Sequence, residues 1–223
     1  INKAIIIAQS GVPGPVFIEL PLDLLYPQDL VRELYGLNTD GQKTSWWLEK
    51  YLQRNLNRIF TGFETTPKPI PEITFPMPVP SAMQKASKMM YNAKSPVLLI
   101  GSQTMLNVTQ VDNLVQKLAS LDMPMFVSGM ARGLLSKEEL NIFRHQRKKA
   151  LQEADLVLLA GVPCDFRLGY GRQINRKAEI ISINRSRSDL YLNRKPTLAI
   201  QADPASFFSS FSENQLENMV YSD

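Results

Sequence analysis

Ser95-Pro96-Val97-Leu98-Leu99-Ile100-Gly101 is a short apolar run closed by a glycine, and Ala154-Asp155-Leu156-Val157-Leu158-Leu159-Ala160-Gly161 repeats the device. A strand that is apolar at every position has no solvent side, so it belongs in a parallel sheet covered on both faces. Met125-Phe126-Val127, Glu179-Ile180-Ile181-Ser182-Ile183 and Thr197-Leu198-Ala199-Ile200 supply three more short strands. Between them the spacing changes to that of helices, over 81–93, around 109–121 and over 140–154. Ser81 reads as the N-cap of the first of these. Asp203-Pro204 opens a last helix, with aspartate capping it and proline in its first turn. The pattern predicts an α/β fold, a parallel sheet with helices on both faces and right-handed crossovers.

Outward from that core, residues 67–80 hold six prolines, which enforce a stiff extended path. Residues 37–80 are expected to be an amphipathic helix followed by this linker, and 81–223 the sheet domain. The helix is read over Thr44–Phe63, with Leu48, Leu52, Leu56, Ile59 and Phe63 spaced four, four, three and four apart. Trp46, Trp47 and Tyr51 broaden its apolar face, and Lys50, Arg54 and Arg58 line the other side. Two readings stay open, a helix docked on its own protein and an interfacial helix on anionic lipid. Residues 1–36 read as the end of a preceding domain. Lys3–Ser10 is helical, Gly11-Val12-Pro13-Gly14-Pro15 a turn, and Val16–Leu20 a strand that Pro21 stops. A start at Ile1-Asn2-Lys3 reads as a piece of a longer protein.

Composition narrows the function. With 44% hydrophobic and 21% charged residues the chain is globular, and no apolar run reaches the roughly 18 residues of a membrane span. The piece itself is therefore expected to be soluble. One cysteine, Cys164, and one histidine, His145, argue against a disulfide framework, zinc and haem. No metal site and no catalytic constellation can be assembled. Cys164 reads as a small packing residue and His145 as a surface one. The net charge is +4, yet residues 144–195 carry 12 Lys and Arg against 5 Asp and Glu. That excess favours an anion or is a solvated face. No DNA- or RNA-binding signature accompanies it, so nucleic acid is not the expected partner.

In an open parallel sheet, ligands sit beyond the carboxyl ends of the strands. That rule selects Gly101, Ser102, Gln103, Gly161, Asn184, Arg185 and Asp203, with Arg147, Asp165 and Arg167 as neighbours. Gly101 and Gly161 would let backbone approach a phosphate or a purine, or they merely turn the chain. Arg147, Arg167 and Arg185 could supply charge-assisted contacts to phosphate oxygens. The dinucleotide fingerprint is missing, because Gly101-Ser102-Gln103 has only its first glycine.

Several stretches resemble thiamine-diphosphate-dependent enzymes of the acetolactate synthase group. Gly11-Val12-Pro13-Gly14-Pro15-Val16-Phe17-Ile18-Glu19-Leu20-Pro21-Leu22-Asp23 is similar to the run that closes the family's pyrimidine-binding domain. Residues 95–101, 154–161 and 178–184 resemble strands of its Rossmann-like central domain. Met130-Ala131-Arg132-Gly133-Leu134-Leu135, Cys164-Asp165-Phe166-Arg167-Leu168 with Tyr170-Gly171-Arg172, and Ser45-Trp46 resemble the acetolactate-synthase-like branch of animals, a second type of 2-hydroxyacyl-CoA lyase. The resemblance implies cleavage of a 2-hydroxyacyl-CoA to formyl-CoA and a shortened aldehyde, with the coenzyme's ylid as nucleophile and electron sink. It also implies magnesium on the diphosphate, an oligomer, and a parent protein at the endoplasmic reticulum membrane.

The family's activating glutamate and its magnesium-diphosphate motif lie in other domains, so these 223 residues are expected to bind no thiamine diphosphate and to be inactive alone. Flavin-binding relatives have an arginine where Pro163 stands and an acidic residue where Asn184 stands. That disfavours FAD and suits an ADP- or CoA-type nucleotide, with Arg147 matching an arginine of the lyases. Two rivals remain, a flavin-dependent acetolactate synthase acting on pyruvate and a non-catalytic assembly module.

Overall fold

The computed structural model describes residues 1–22, 25–35, 45–62, 69–70, 72–106, 111–136, 138 and 140–211. The chain divides into two compact units, one of residues 1–9 and 14–72, the other of residues 10–13 and 73–223.

The first unit holds helices α1 (Asn2–Gln9), α2 (Gln28–Leu34) and α3 (Trp46–Ile59). The inward stripe of α3 runs through Leu56, which is fully buried, and Arg32 of α2 donates to the Asn57 side chain at 3.3 Å. Thr44 and Phe63, the expected ends of this helix, lie outside the described residues, as does Asp23. Val16–Leu20 is not a strand here. An extended segment needs a neighbouring edge to receive its amides, no described residue offers one, and Phe17 is 90% exposed.

In the second unit the chain runs α4 (Pro80–Asn92), β1 (Pro96–Ile100), α5 (Val111–Ala119), β2 (Met125–Val127), α6 (Arg147–Glu153), β3 (Leu156–Ala160), β4 (Glu179–Asn184), α7 (Arg187–Leu190), β5 (Leu198–Gln201) and α8 (Pro204–Ser209). All five strands are parallel, in the order β2-β1-β3-β4-β5. Alternate residues of each strand point to opposite faces, and both faces are covered. Leu98, Ile100, Leu158, Ala160, Ile181 and Ile183 meet Met90 of α4, Leu114 and Leu118 of α5, and Phe207 and Phe208 of α8. Val97, Leu99, Val157, Leu159 and Ile180 meet Leu151 of α6 and the loop residues Leu168 and Ile174. Each such side chain, fully buried, contributes about 1.5–3 kcal/mol.

Local chemistry corrects two boundaries. Val79, not Ser81, precedes α4, because Pro80 takes the first helical position, where its missing N–H leaves no gap. Residues 140–146 are not the start of α6. Met125 donates to Asn141 O and Phe143 to Met125 O, both at 2.9 Å, so this stretch extends the β2 edge. Gln146, at φ +65°, then turns the chain into α6. Residues 109–110 of the helix expected around 109–121 lie outside the described residues, and α5 begins at Val111. At Asp203 the expected cap is present, its Oδ2 accepting from Ser206 N at 2.9 Å.

Candidate functional site

Successive strands leave β1 in opposite directions, β2 on one side and β3 on the other, so the topological switch lies between the ends of β1 and β3. Gly101 and Gly161 stand there, and the room they leave is filled by protein. A Cβ on Gly101 would strike the Gly161 carbonyl and Val162; one on Gly161, at φ +67°, would lie 2.6 Å from Gln103 Cβ. The glycines bring two strand ends and Gln103 together rather than opening a path for phosphate.

The Gln103 side chain, almost fully buried, bridges the crevice. Its Nε2 donates to Asn184 Oδ1 at 3.0 Å, and its Oε1 accepts from Arg185 N at 3.0 Å. The Arg185 and Asp203 side chains are wholly buried. Arg185 Nε donates to Asp203 Oδ1 at 2.7 Å, and Nη2 lies 2.6 Å from the same oxygen, an ion pair whose angle leaves that N–H short of a hydrogen bond. The guanidinium also lies 4.0 Å over the Phe75 ring, and Nη1 donates to Gly11 O at 3.3 Å. Asp203 N donates to Pro76 O at 2.7 Å, so part of the proline-rich stretch is a strap on the sheet edge. Ser102 stands beside this cluster, its Oγ accepting from Met130 N at 3.1 Å. Of the buried amide donors, Asn184 Nδ2 has no protein partner among the described residues.

Seven of the ten candidate residues therefore converge, but Arg185 faces inward to a carboxylate instead of outward to an anion. The other three form a separate group. Arg147 donates to Arg167 O at 2.8 Å, and Arg167 grips both oxygens of Asp165. Partial burial alone would raise the Asp165 carboxyl; the Arg167 hydrogen bonds and charge outweigh it and hold the carboxyl below its ordinary value. The same carboxylate pushes the Arg167 guanidinium upward. Next to them the Cys164 thiol is buried, and burial pushes it up despite Arg194.

A cavity of about 680 Å³ opens on the other side of Arg147, at the end of β2. Phe126, Val127 and Phe143 form its apolar wall, and Arg132, Arg144, His145, Arg147, Lys148 and Gln173 its polar one, with Gln146 between. Sequence reasoning missed Arg132, Arg144, Lys148 and Gln173 as a set. The run Arg144–Lys149 was visible as charge, but only the strand-like course of 140–146 curls it around a hollow. Five cationic or titratable donors without a carboxylate in the lining suit an anion such as a phosphate.

The family model of the thiamine pyrophosphate enzyme central domain matches residues 83–211. Zebrafish (Danio rerio) 2-hydroxyacyl-CoA lyase 2 is 42% identical over 222 residues, covering 96% of this chain and 35% of the relative. The human (Homo sapiens) protein of the same name is 39% identical over 218 residues, 93% of this chain and 34% of its own length. An acetolactate synthase large subunit of Mycobacterium tuberculosis is 32% identical over 110 residues, 49% of this chain and 20% of its own. The chain thus spans about a third of the length of the curated lyase relatives it matches.

Proposed function

The chain belongs to the thiamine pyrophosphate enzymes, whose central domain it carries, and on that premise we propose that its protein is a thiamine-diphosphate-dependent lyase cleaving a 2-hydroxyacyl-CoA to formyl-CoA and a shortened aldehyde. The observation that carries this reading is the extent of the match, 96% of the chain against a lyase and 49% against a synthase. The filled crevice adds to it: Gln103, Asn184 and Arg185 occupy the switch point where a dinucleotide such as FAD would lie. When bound, thiamine diphosphate supplies the carbanion-stabilising centre. The described residues do not fit it with its magnesium, since no three His, Cys, Asp or Glu of theirs gather as ligands and the buried Asp203 is engaged by Arg185 and Ser206. We assign the bond-breaking groups to the rest of such a protein and to these residues a supporting role, inactive alone. Assembly into an oligomer and residence at the endoplasmic reticulum membrane belong to the same reading, by family resemblance. Among the described residues, no helix is long and apolar enough to cross a membrane.

An ADP- or CoA-type nucleotide, on this reading, would place its phosphates in the cavity at the end of β2, against Arg132, Arg144, Arg147 and Lys148. The decisive assay offers the intact protein a 2-hydroxyacyl-CoA with thiamine diphosphate and magnesium and measures formyl-CoA, with pyruvate condensation as control. Acetolactate without formyl-CoA, or a flavin absorbance, overturns the lyase reading. Calorimetry with ADP, CoA and FAD tests the cavity: binding of ADP or CoA weakened by Arg132→Gln supports it, and no heat with any of the three favours the assembly-module rival.

A further inference from the structure

Helix α3 turns only part of its surface inward. Leu52, Leu56 and Ile59, four and three apart, form its buried or half-buried stripe. The remaining large side chains do not follow them. Trp46 is 58% exposed, Trp47 74% and Tyr51 61%, and Lys50, Arg54 and Arg58 are exposed as well. At about 100° per residue, Trp47, Lys50, Tyr51, Arg54 and Arg58 fall within roughly a 100° arc, with Trp46 about 40° beyond its Lys50 edge. Aromatic rings and cations thus share one outward face instead of segregating to opposite ones. Lys50 Nζ lies 4.8 Å from the Trp46 ring centre, and the two indoles meet edge to face at 4.4 Å.

This mixture has a specific physical match. Indole and phenol rings, apolar in body and polar at one edge, prefer the headgroup zone of a bilayer. Lys and Arg beside them lower their energy further when that zone is anionic. A protein interface matches poorly, because burying three cations requires carboxylate partners for each. No carboxylate among the described residues pairs with these three. The only acidic residue of the helix, Glu49, lies off the arc.

We propose that this face of α3 rests on an anionic membrane surface, with Trp46, Trp47 and Tyr51 at the headgroup level and Lys50, Arg54 and Arg58 against lipid phosphates and carboxylates. The inference is independent of the lyase reading.

Both tryptophans of the chain lie in this patch, so intrinsic fluorescence reports on it alone. The full chain is titrated with vesicles of phosphatidylcholine, with and without phosphatidylserine, following emission and co-sedimentation. The expected result is a blue shift and co-sedimentation with phosphatidylserine vesicles only, both reversed by salt. Each cation near such a surface is worth about fivefold in partitioning. The Lys50→Gln, Arg54→Gln, Arg58→Gln triple variant should therefore partition about 100-fold more weakly, with unchanged circular dichroism. The proposal is overturned if emission stays unmoved and no protein sediments, if emission is already blue and lipid-insensitive because protein covers the indoles, or if wild-type binding ignores both salt and headgroup charge.

Discussion

Asp203 ties the sheet's carboxyl edge to Arg185 and to the start of α8, and a double-mutant cycle with Arg185 measures the strength of the first tie. Asp203→Asn keeps the cap on α8, because asparagine caps as well as aspartate, so its effect isolates the lost charge. It leaves the wholly buried Arg185 guanidinium without its counterion. Breaking one partner of such a pair costs about 3–5 kcal/mol. For a domain of this size, at about 2–4 °C per kcal/mol, the melting temperature should fall by about 6–20 °C. Arg185→Met should cost less, about 2 kcal/mol, because Asp203 Oδ2 still accepts from Ser206 N and Oγ, both at 2.9 Å. With both charges removed, the double variant should be about 2 kcal/mol or more better than the sum of the singles. Urea unfolding followed by circular dichroism gives all three values. Additive losses, or less than about 1 kcal/mol for Asp203→Asn, would refute the buried pair.

Three further outcomes follow from the geometry. Gly161→Ala places a side chain at φ +67° and against Gln103; a loss of about 2 kcal/mol or more is expected, and a neutral result in urea would mean the crevice is not closed as described. Asp165, held below the usual carboxylate range of about 3.9, should add stability above about pH 5 that disappears as pH falls through its depressed value. The pair is partly exposed, so Asp165→Asn should remove under about 1 kcal/mol of that dependence, and an unchanged acid limb would sink the assignment. The Cys164 thiol, pushed up by burial, should resist alkylation near its ordinary value of about 8.5 until the chain unfolds; rapid labelling of native protein would show it accessible.

The sheet was legible because Leu156–Ala160 and Pro96–Ile100 are apolar at every position, a pattern with one stable setting. Residues 140–146 were not, because Leu140 and Phe143 stand three apart, as in a helix, while Leu140 and Ile142 stand two apart, as along a strand edge, and only the bonds of Asn141 and Phe143 to Met125 decide. Val16–Leu20 has strand composition, but a ladder belongs to a pair of strands and not to one. At the site, position followed from topology: the loops after β1, β3 and β4 do meet. Orientation did not. Whether Arg185 faces solvent or core depends on Asp203 and Phe75, far away in sequence, and no local signal carries that information. The excess of charge along 144–195 therefore marks a basic region without separating an arginine that holds the fold from those that line the hollow.

The strap formed by Phe75 and Pro76 bears on where the polypeptide can be cut. Composition invites a cut after the last proline, with the domain beginning at Ser81. A polypeptide started there would expose the Arg185–Asp203 pair on the side that Phe75 shields and strand the Asp203 amide without its acceptor. The compact unit begins several residues earlier, near Ile73, and also takes in residues 10–13, whose Gly11 O accepts from Arg185, so moving this domain into another protein would have to carry Phe75 and Pro76 along and replace the Gly11 acceptor.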